Sequence, residues 1–331
     1  MYRRLLPFIL SAGTALSAVA QKPERHSYSA ADTTIATTMR QVAGDIVRLD
    51  RAQDLDVVIV GELHALTSHD AAKLAFDDYL IDSMGVRTVA FEYPSSDKAR
   101  YGRFYAEMDS VCRQSAATDG TPFAWIDDTQ DWLADRVRYP YRLLELSQAF
   151  AKGAGFEPVD CERTGRRITQ TDMTAEVEAL LHSSPYFQDI AARYPRIGQP
   201  DRLEADTEDG MVFRNLLMAA RIKKLLDENM GPVLSHNGRS HLHDVKLDKM
   251  PQLDEMLAEM GLRVATVDMG CSERGGVAIP ENLYETGGPK DDIAGAIYVD
   301  MPWIKAKGFK KLDLRSSAKD LVRIKKLLPV D

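Results

Sequence analysis

Cysteine is scarce in this 331-residue chain, which has only Cys112, Cys161 and Cys271. An odd count allows at most one bridge within the chain, and the wide spacings match no zinc site, so buried or idle thiols are expected. An excess of basic residues is also missing: 42 Lys and Arg face 50 Asp and Glu, a formal net charge of −8. That balance argues against general nucleic-acid binding, which depends on cations neutralising phosphates. Gly and Pro, at 21 and 15, are too few for a collagen-like or low-complexity chain, while 44% apolar residues is too many for a disordered one. No apolar run of membrane length follows residue 20. The HExxH, CxxC, GxSxG and phosphate-loop patterns are absent, so zinc-peptidase, serine-hydrolase and nucleotide-binding readings based on them have no support. Gly275-Gly276 and Gly287-Gly288 lack the context of such loops and read as turns.

The chain opens MYRRLLPFILSAGTALSAVA: two Arg, an apolar run, then Ala18-Val19-Ala20 before Gln21. This is the layout of a secretory signal, and the run is too short and too broken by Ser, Gly and Thr for a good membrane span. Cleavage after Ala20 removes Arg3 and Arg4 and takes the charge from −8 to −10. No Cys lies near residue 20 to carry a lipid. Residues 1–20 are therefore expected to be a signal peptide, and residues 21–331 a single exported domain. That domain would be periplasmic or secreted, with no membrane anchor after cleavage.

A polar stretch, residues 21–33, precedes a helix-compatible segment over Ile35–Ala52. Short apolar runs follow at Asp56–Val60, Thr88–Phe91, Phe156–Val159, Pro232–Ser235, Arg263–Val267 and Ala294–Val299. Rich in Val and Ile and without strict alternation, they suit strands buried on both faces of a parallel sheet. Between them Ala71–Met84, Tyr141–Lys152, Asp209–Asn229 and Leu253–Met260 place apolar residues at helical spacing. Gly153, Gly155 and Gly261 are plausible helix stops. The alternation predicts an α/β fold, a mainly parallel sheet flanked by helices. Residues 161–208, with Pro185, Pro195 and Pro200 and no clear strand, read as a largely helical insertion or cap over one end of the sheet. The basic tail from Lys305 ends in an amphipathic stretch, Ala318–Leu328, expected to be a solvated terminal helix.

Ligands of open parallel sheets bind beyond the carboxyl ends of the strands. Ionisable residues stand at five of those ends: Glu62, Glu92, Asp160, His236 and Asp268. Glu62 and His64, two apart in extended chain, share a side, and Gly61 allows close approach of backbone or ligand. Of seven histidines, His236, His241 and His243 cluster, while His64 and His69 lie near the first strand end. Such a cluster opposite a Glu-x-His pair can bind a divalent cation or hold a general base near neutral pKa. Arg214, on the third long helix, is expected to pair with a carboxylate, Glu62 or Glu92, and to face an anionic transition state.

Gly61-Glu62-x-His64, then Glu92, then Arg214-Asn215-x-x-Met218-Ala219, then a His-rich strand end occur in that order. The arrangement resembles the superfamily that joins erythromycin esterase-like enzymes, ChaN-like haem-binding proteins and the Tiki/TraB group. His236-Asn237…His241 is similar to a His-Asn-x-His pattern of the esterase-like branch, with two extra residues before the second His. The resemblance implies a site built from Glu62, His64, Glu92, Arg214 and His236 or His241. In the esterase-like branch the corresponding His and Glu activate a water. In the Tiki-like branch the first-strand His and the later His serve a divalent metal, here His64 with His236 or His241. ChaN-like members are associated with haem.

Two functions follow as expectations. One is an exported hydrolase acting on a small-molecule or peptide substrate, with water activated by the Glu/His site with or without manganese, cobalt or zinc. The other is a haem- or metal-binding uptake protein without turnover.

Overall fold

The computed structural model describes residues 24–29, 35–64, 66–94, 152–169, 174–228, 231–242, 250–270 and 294–301. The expected signal peptide, the helix over 141–151, the basic tail, Cys112, Cys271 and His243 lie outside these residues. Within them a seven-stranded sheet is flanked by helices, with every pairing in the sheet parallel. Its strands are β1 (Glu24–Ser29), β2 (Val57–Glu62), β3 (Thr88–Pro94), β4 (Gly155–Asp160), β7 (Val233–Gly238), β8 (Val264–Gly270) and β9 (Gly295–Asp300). Across the sheet they run β4-β3-β7-β2-β8-β9-β1.

All six residues of β2 are buried, as a β-branched run with neighbours on both sides should be. Alternate residues serve opposite faces. Val58 and Val60 join one core with the helices α1 (Ile35–Gln53) and α2 (Thr67–Ser83). Val57 and Ile59 join a second core on the other face. Its helices include α5 (Glu208–Asp227) and α6 (Leu253–Glu259).

Helix α5 is buried at every position from Met211 to Ala220, which requires cover on its outer side. The 161–208 segment supplies that cover. Its helices α3 (Ala175–Leu181) and α4 (Pro185–Arg193) put Val177, Leu180, Phe187 and Ile190 into the same core as α5. Thr207 caps α5 by accepting a bond from the Gly210 N–H at 3.3 Å. A Cβ at Gly210 would collide with the Glu204 carbonyl, so only glycine fits this entry.

Three readings change. Residues 24–29 form a strand rather than a polar lead-in; among the described residues β1 pairs on one side only, with β9, so it needs no continuous apolar run. The insertion contains a small antiparallel pair, β5 (Arg163–Thr164) with β6 (Arg167–Ile168), too short to show in an apolar pattern. Helix α2 begins at Thr67 rather than Ala71, because its first turn is polar and carries no apolar repeat. Gly261 does stop α6, in a left-handed conformation (φ 79°) with its N–H on the Ala258 carbonyl. No helix among the described residues is long and apolar enough to cross a membrane.

Candidate functional site

Strand β7 inserts between β2 and β3, so their three carboxyl ends are adjacent. Register places Val60 beside His236 and Glu62 beside Gly238. What these ends carry separates into two layers, because neighbouring residues on a strand face opposite ways.

On the α2 side, Glu62 is almost fully buried and joins two groups. Its Oε2 pairs with Nζ of Lys73, whose side chain is 1% exposed, and its Oε1 lies 2.9 Å from Nδ1 of His64. Lys73 belongs to a polar stripe on α2, His69-Lys73-Asp77, spaced one turn apart and turned toward the sheet. His69 accepts the Leu63 N–H at Nδ1, 3.1 Å away, and so fixes the turn after β2. Burial pushes the His69 imidazole down to about 4, so it is neutral at ordinary pH. Asp77 takes His236, at 3.0 Å between Oδ2 and Nε2, and His236 stacks on Phe91 with ring centroids 5.2 Å apart.

On the α5 side, Glu92 is the centre. Its Oε1 pairs with Arg214 Nη2 and lies 3.3 Å from His241 Nε2, and its Oε2 accepts the Gly238 N–H. Arg214 also grips Asp160 at the end of β4, Nε to Oδ1 at 3.0 Å and Nη2 to Oδ2 at 2.9 Å. Burial alone would raise the Glu92 carboxyl, but His241 and Arg214 hold it well below the usual carboxylate range. The reverse holds for Arg214: burial works to lower it, and Glu92 with Asp160 raises it. Arg214 cannot shed its proton, so its charge is the permanent one opposite Glu92.

His241 arrives on a 3-10 turn, Arg239–His241, immediately after β7. Asn215 fixes its orientation. The Asn215 amide nitrogen donates to the Pro251 carbonyl at 2.9 Å, so its oxygen faces His241 Nδ1 at 2.6 Å and accepts from it. That leaves Nε2 toward Glu92. Burial pushes the His241 imidazole down, against the pull of Glu92.

The two layers meet at His64. Its side chain is 56% exposed, and its Nε2 lies 3.7 Å from Glu92 Oε2. Gly238 floors this gap: a Cβ built there would stand 2.7 Å from His64 Nε2 and 3.0 Å from Glu92 Oε2.

Of the six residues singled out in the sequence, Glu62, His64, Glu92, Arg214 and His241 form one connected set. His236 is placed elsewhere. It lies two residues below the strand end, facing α2, where it pairs with Asp77 and stacks on Phe91. Arg214 holds Glu92 rather than Glu62, and its three nitrogens are engaged by Glu92, Asp160 and, at 3.4 Å, the Met211 sulfur. Buried and gripping two carboxylates, it positions Glu92. Among the described residues no three His, Cys, Asp or Glu side chains converge on one point, and His236, paired with Asp77 on the α2 side, lies apart from His241 at Glu92. Cys161 is a buried free thiol pushed up to about 12 by burial and by Asp160.

Sequence reading missed Lys73, Asn215 as the orienting group, and Arg163. Lys73 left a signal as a charge in the helical stripe between His69 and Asp77, and Asn215 as part of the Arg214-Asn215-x-x-Met218-Ala219 motif. Arg163 begins β5, with Nη2 3.9 Å from Glu92 Oε1 and Nε 3.7 Å from Asp160 Oδ2.

No family model and no curated protein matches the chain. Among solved structures it is similar to the type III effector HopBA1, at 14% identity and TM-score 0.37, over 81% of this chain and 94% of that one. It is also similar to ChaN of Campylobacter jejuni, described as binding haem cofacially, at 13% and 0.34 over 72% and 90%. A Bacillus cereus protein aligns at 10% and 0.35 over 70% and 75%. Likeness at this level leaves function to the chain's own residues.

Proposed function

We propose that the chain is an exported hydrolase in which His64 is the general base and Glu92 the group that orients the attacking water. The observation that carries this is the series Lys73–Glu62–His64–Glu92. A buried carboxylate, itself held by a buried ammonium, accepts from His64 Nδ1 and places Nε2 3.7 Å from a second carboxylate. A base needs its proton-accepting nitrogen directed by its other one, and Glu62 does that here. In the proposed step His64 Nε2 takes a proton from water while Glu92 accepts the other water proton as a hydrogen bond. The water oxygen attacks the acyl carbon, and the imidazolium, stabilised by Glu62, returns its proton to the departing alcohol or amine. Water is consumed and acid plus alcohol or amine released, so the cycle closes without a cofactor.

The test is His64→Ala against wild type on a panel of 4-nitrophenyl esters and peptides. Turnover is expected to fall on the order of 10²–10⁴-fold, the usual contribution of a positioned base. Full turnover in a folded His64→Ala protein would end this reading.

A second reading keeps the same imidazole. Proteins also present metal-ligating histidines with the far nitrogen bonded to a carboxylate, as His64 is to Glu62, so haem binding at His64 is the competing function. A Soret band on haem titration that disappears in His64→Ala, with no ester cleaved by wild type, would favour it.

Gly238 provides an independent check. Its backbone sits at φ −58° and ψ 139°, which alanine adopts freely. Gly238→Ala therefore carries no backbone strain, and its methyl group, 2.7 Å from His64 Nε2, requires the exposed His64 ring to move aside. The same methyl group would occupy the space between His64 and Glu92 and lower turnover on the order of 10²-fold. A variant as active as wild type would show that the water does not sit there.

A further inference from the structure

We infer that Arg163 is a substrate-binding residue and that the substrate carries an anionic group, a carboxylate or its equivalent, a few bonds from the scissile carbonyl. This rests on the hydrolase reading above and names its substrate class.

Two guanidinium groups adjoin the Glu92–Asp160 pair, and they differ in kind. Arg214 is buried and spends its donors on both carboxylates. Arg163 is 30% exposed and approaches the same two groups only at 3.9 and 3.7 Å, outside hydrogen-bond range. Arg163 is thus the loosely paired and partly exposed member of the set, with the planar donor arrangement that suits a carboxylate.

Its position relative to the base separates two roles. Arg163 leans on Glu92 Oε1, whereas His64 stands off Oε2. The carbonyl under attack must be within reach of a water on His64, so Arg163 falls beyond it, suited to a pre-existing charge of the substrate rather than to the developing oxyanion. The hairpin that carries it adds Arg166 and Arg167 within the same turn. Arg166 is 79% exposed and pairs with Asp206 at 3.3 Å, so Arg163 is the guanidinium of this hairpin that faces the Glu92–Asp160 edge.

The experiment compares matched esters, 4-nitrophenyl butyrate and the mono-4-nitrophenyl ester of glutaric acid, which differ at the far end by a carboxylate. Wild type is expected to prefer the glutarate ester in kcat/KM, and Arg163→Gln to reduce that preference at least about tenfold, as expected for one charge-assisted hydrogen bond. The loss should appear in KM rather than kcat. Arg163→Lys, retaining the charge without the fork, should fall between. Calorimetric titration with glutarate provides the readout without turnover. If wild type cleaves neither ester but binds glutarate in an Arg163-dependent way, the hydrolase reading fails and the anion site stands. If wild type cleaves both esters with a preference that Arg163→Gln leaves unchanged, or binds no glutarate, the anion site is overturned.

Discussion

Replacing Arg214 with Met is expected to cost the fold about 3–5 kcal/mol, the range for breaking a buried ion pair from one side. For a domain of this size that is a fall in Tm on the order of 10 °C. The size of the effect comes from what remains. Glu92 and Asp160 would keep their carboxylates, both shielded from solvent, with the Gly238 and Cys161 N–H groups, His241 and the loosely held Arg163 as company. The pH dependence should shift with the charge. In the wild type the Glu92 carboxyl is held well below its unfolded value, so its contribution is present above about pH 4.3 and is lost only as pH falls through the depressed folded value. Without Arg214, Glu92 loses one of the charges that hold its carboxyl down while burial still pushes it up, so its folded value rises. The cost of the lost charge is then greatest at neutral pH and fades as pH falls and the carboxyl takes up its proton. Denaturant unfolding at pH 8 and pH 5 should show the larger loss at pH 8. Combining Arg214→Met with Glu92→Gln and Asp160→Asn should recover most of it. A loss equal at both pH values and not recovered by neutralisation would mean that Arg214 matters for its volume and not its charge.

How far the site could be read from sequence follows from the range of each contact. Glu62 and His64 are two residues apart in extended chain, so their pairing is a local fact and legible. That β2, β3, β7 and β8 are strands is equally local, since each buries a short apolar run. Facing is where the reading failed. His236 ends an apolar run, which suggests the sheet edge, but β7 continues to Gly238 and leaves His236 below the edge among Asp77 and Phe91. His241, beyond the true strand end, is the histidine that reaches Glu92. Arg214 was legible as the partner of a carboxylate but not of which one, because the choice depends on α5 covering the face opposite α2. Arg163 and Lys73 meet the site through packing of the 161–208 segment and of α2, and charged residues on amphipathic elements default to solvent in any local reading.

Lys73→Met is expected to alter both stability and the proposed chemistry, in a way that separates the two. Lys73 is buried against Glu62, so its removal leaves a buried carboxylate without that ammonium, with His64 still at its Oε1. The cost should again be about 3–5 kcal/mol at neutral pH. Glu62 would now draw its compensation from the exposed imidazole. With the ammonium gone, its repulsion of a protonated His64 ring is lost, so that state is favoured relative to wild type. A base must be neutral to act, so the acid limb of kcat/KM should move upward, on the order of one pH unit. An NMR titration of the His64 ring should move with it, whether or not a substrate is in hand. Adding Glu62→Gln to Lys73→Met removes both buried charges and should restore much of the stability, since a neutral buried pair costs far less than a lone charge. It should not restore turnover, because an uncharged amide in place of the Glu62 carboxylate cannot stabilise the imidazolium. Recovery of stability and turnover together would reduce the Lys73–Glu62 pair to a structural strut. Recovery of stability alone, with His64 titrating lower than in Lys73→Met, is the outcome that ties the buried ammonium on α2 to the basicity of the histidine at the sheet edge.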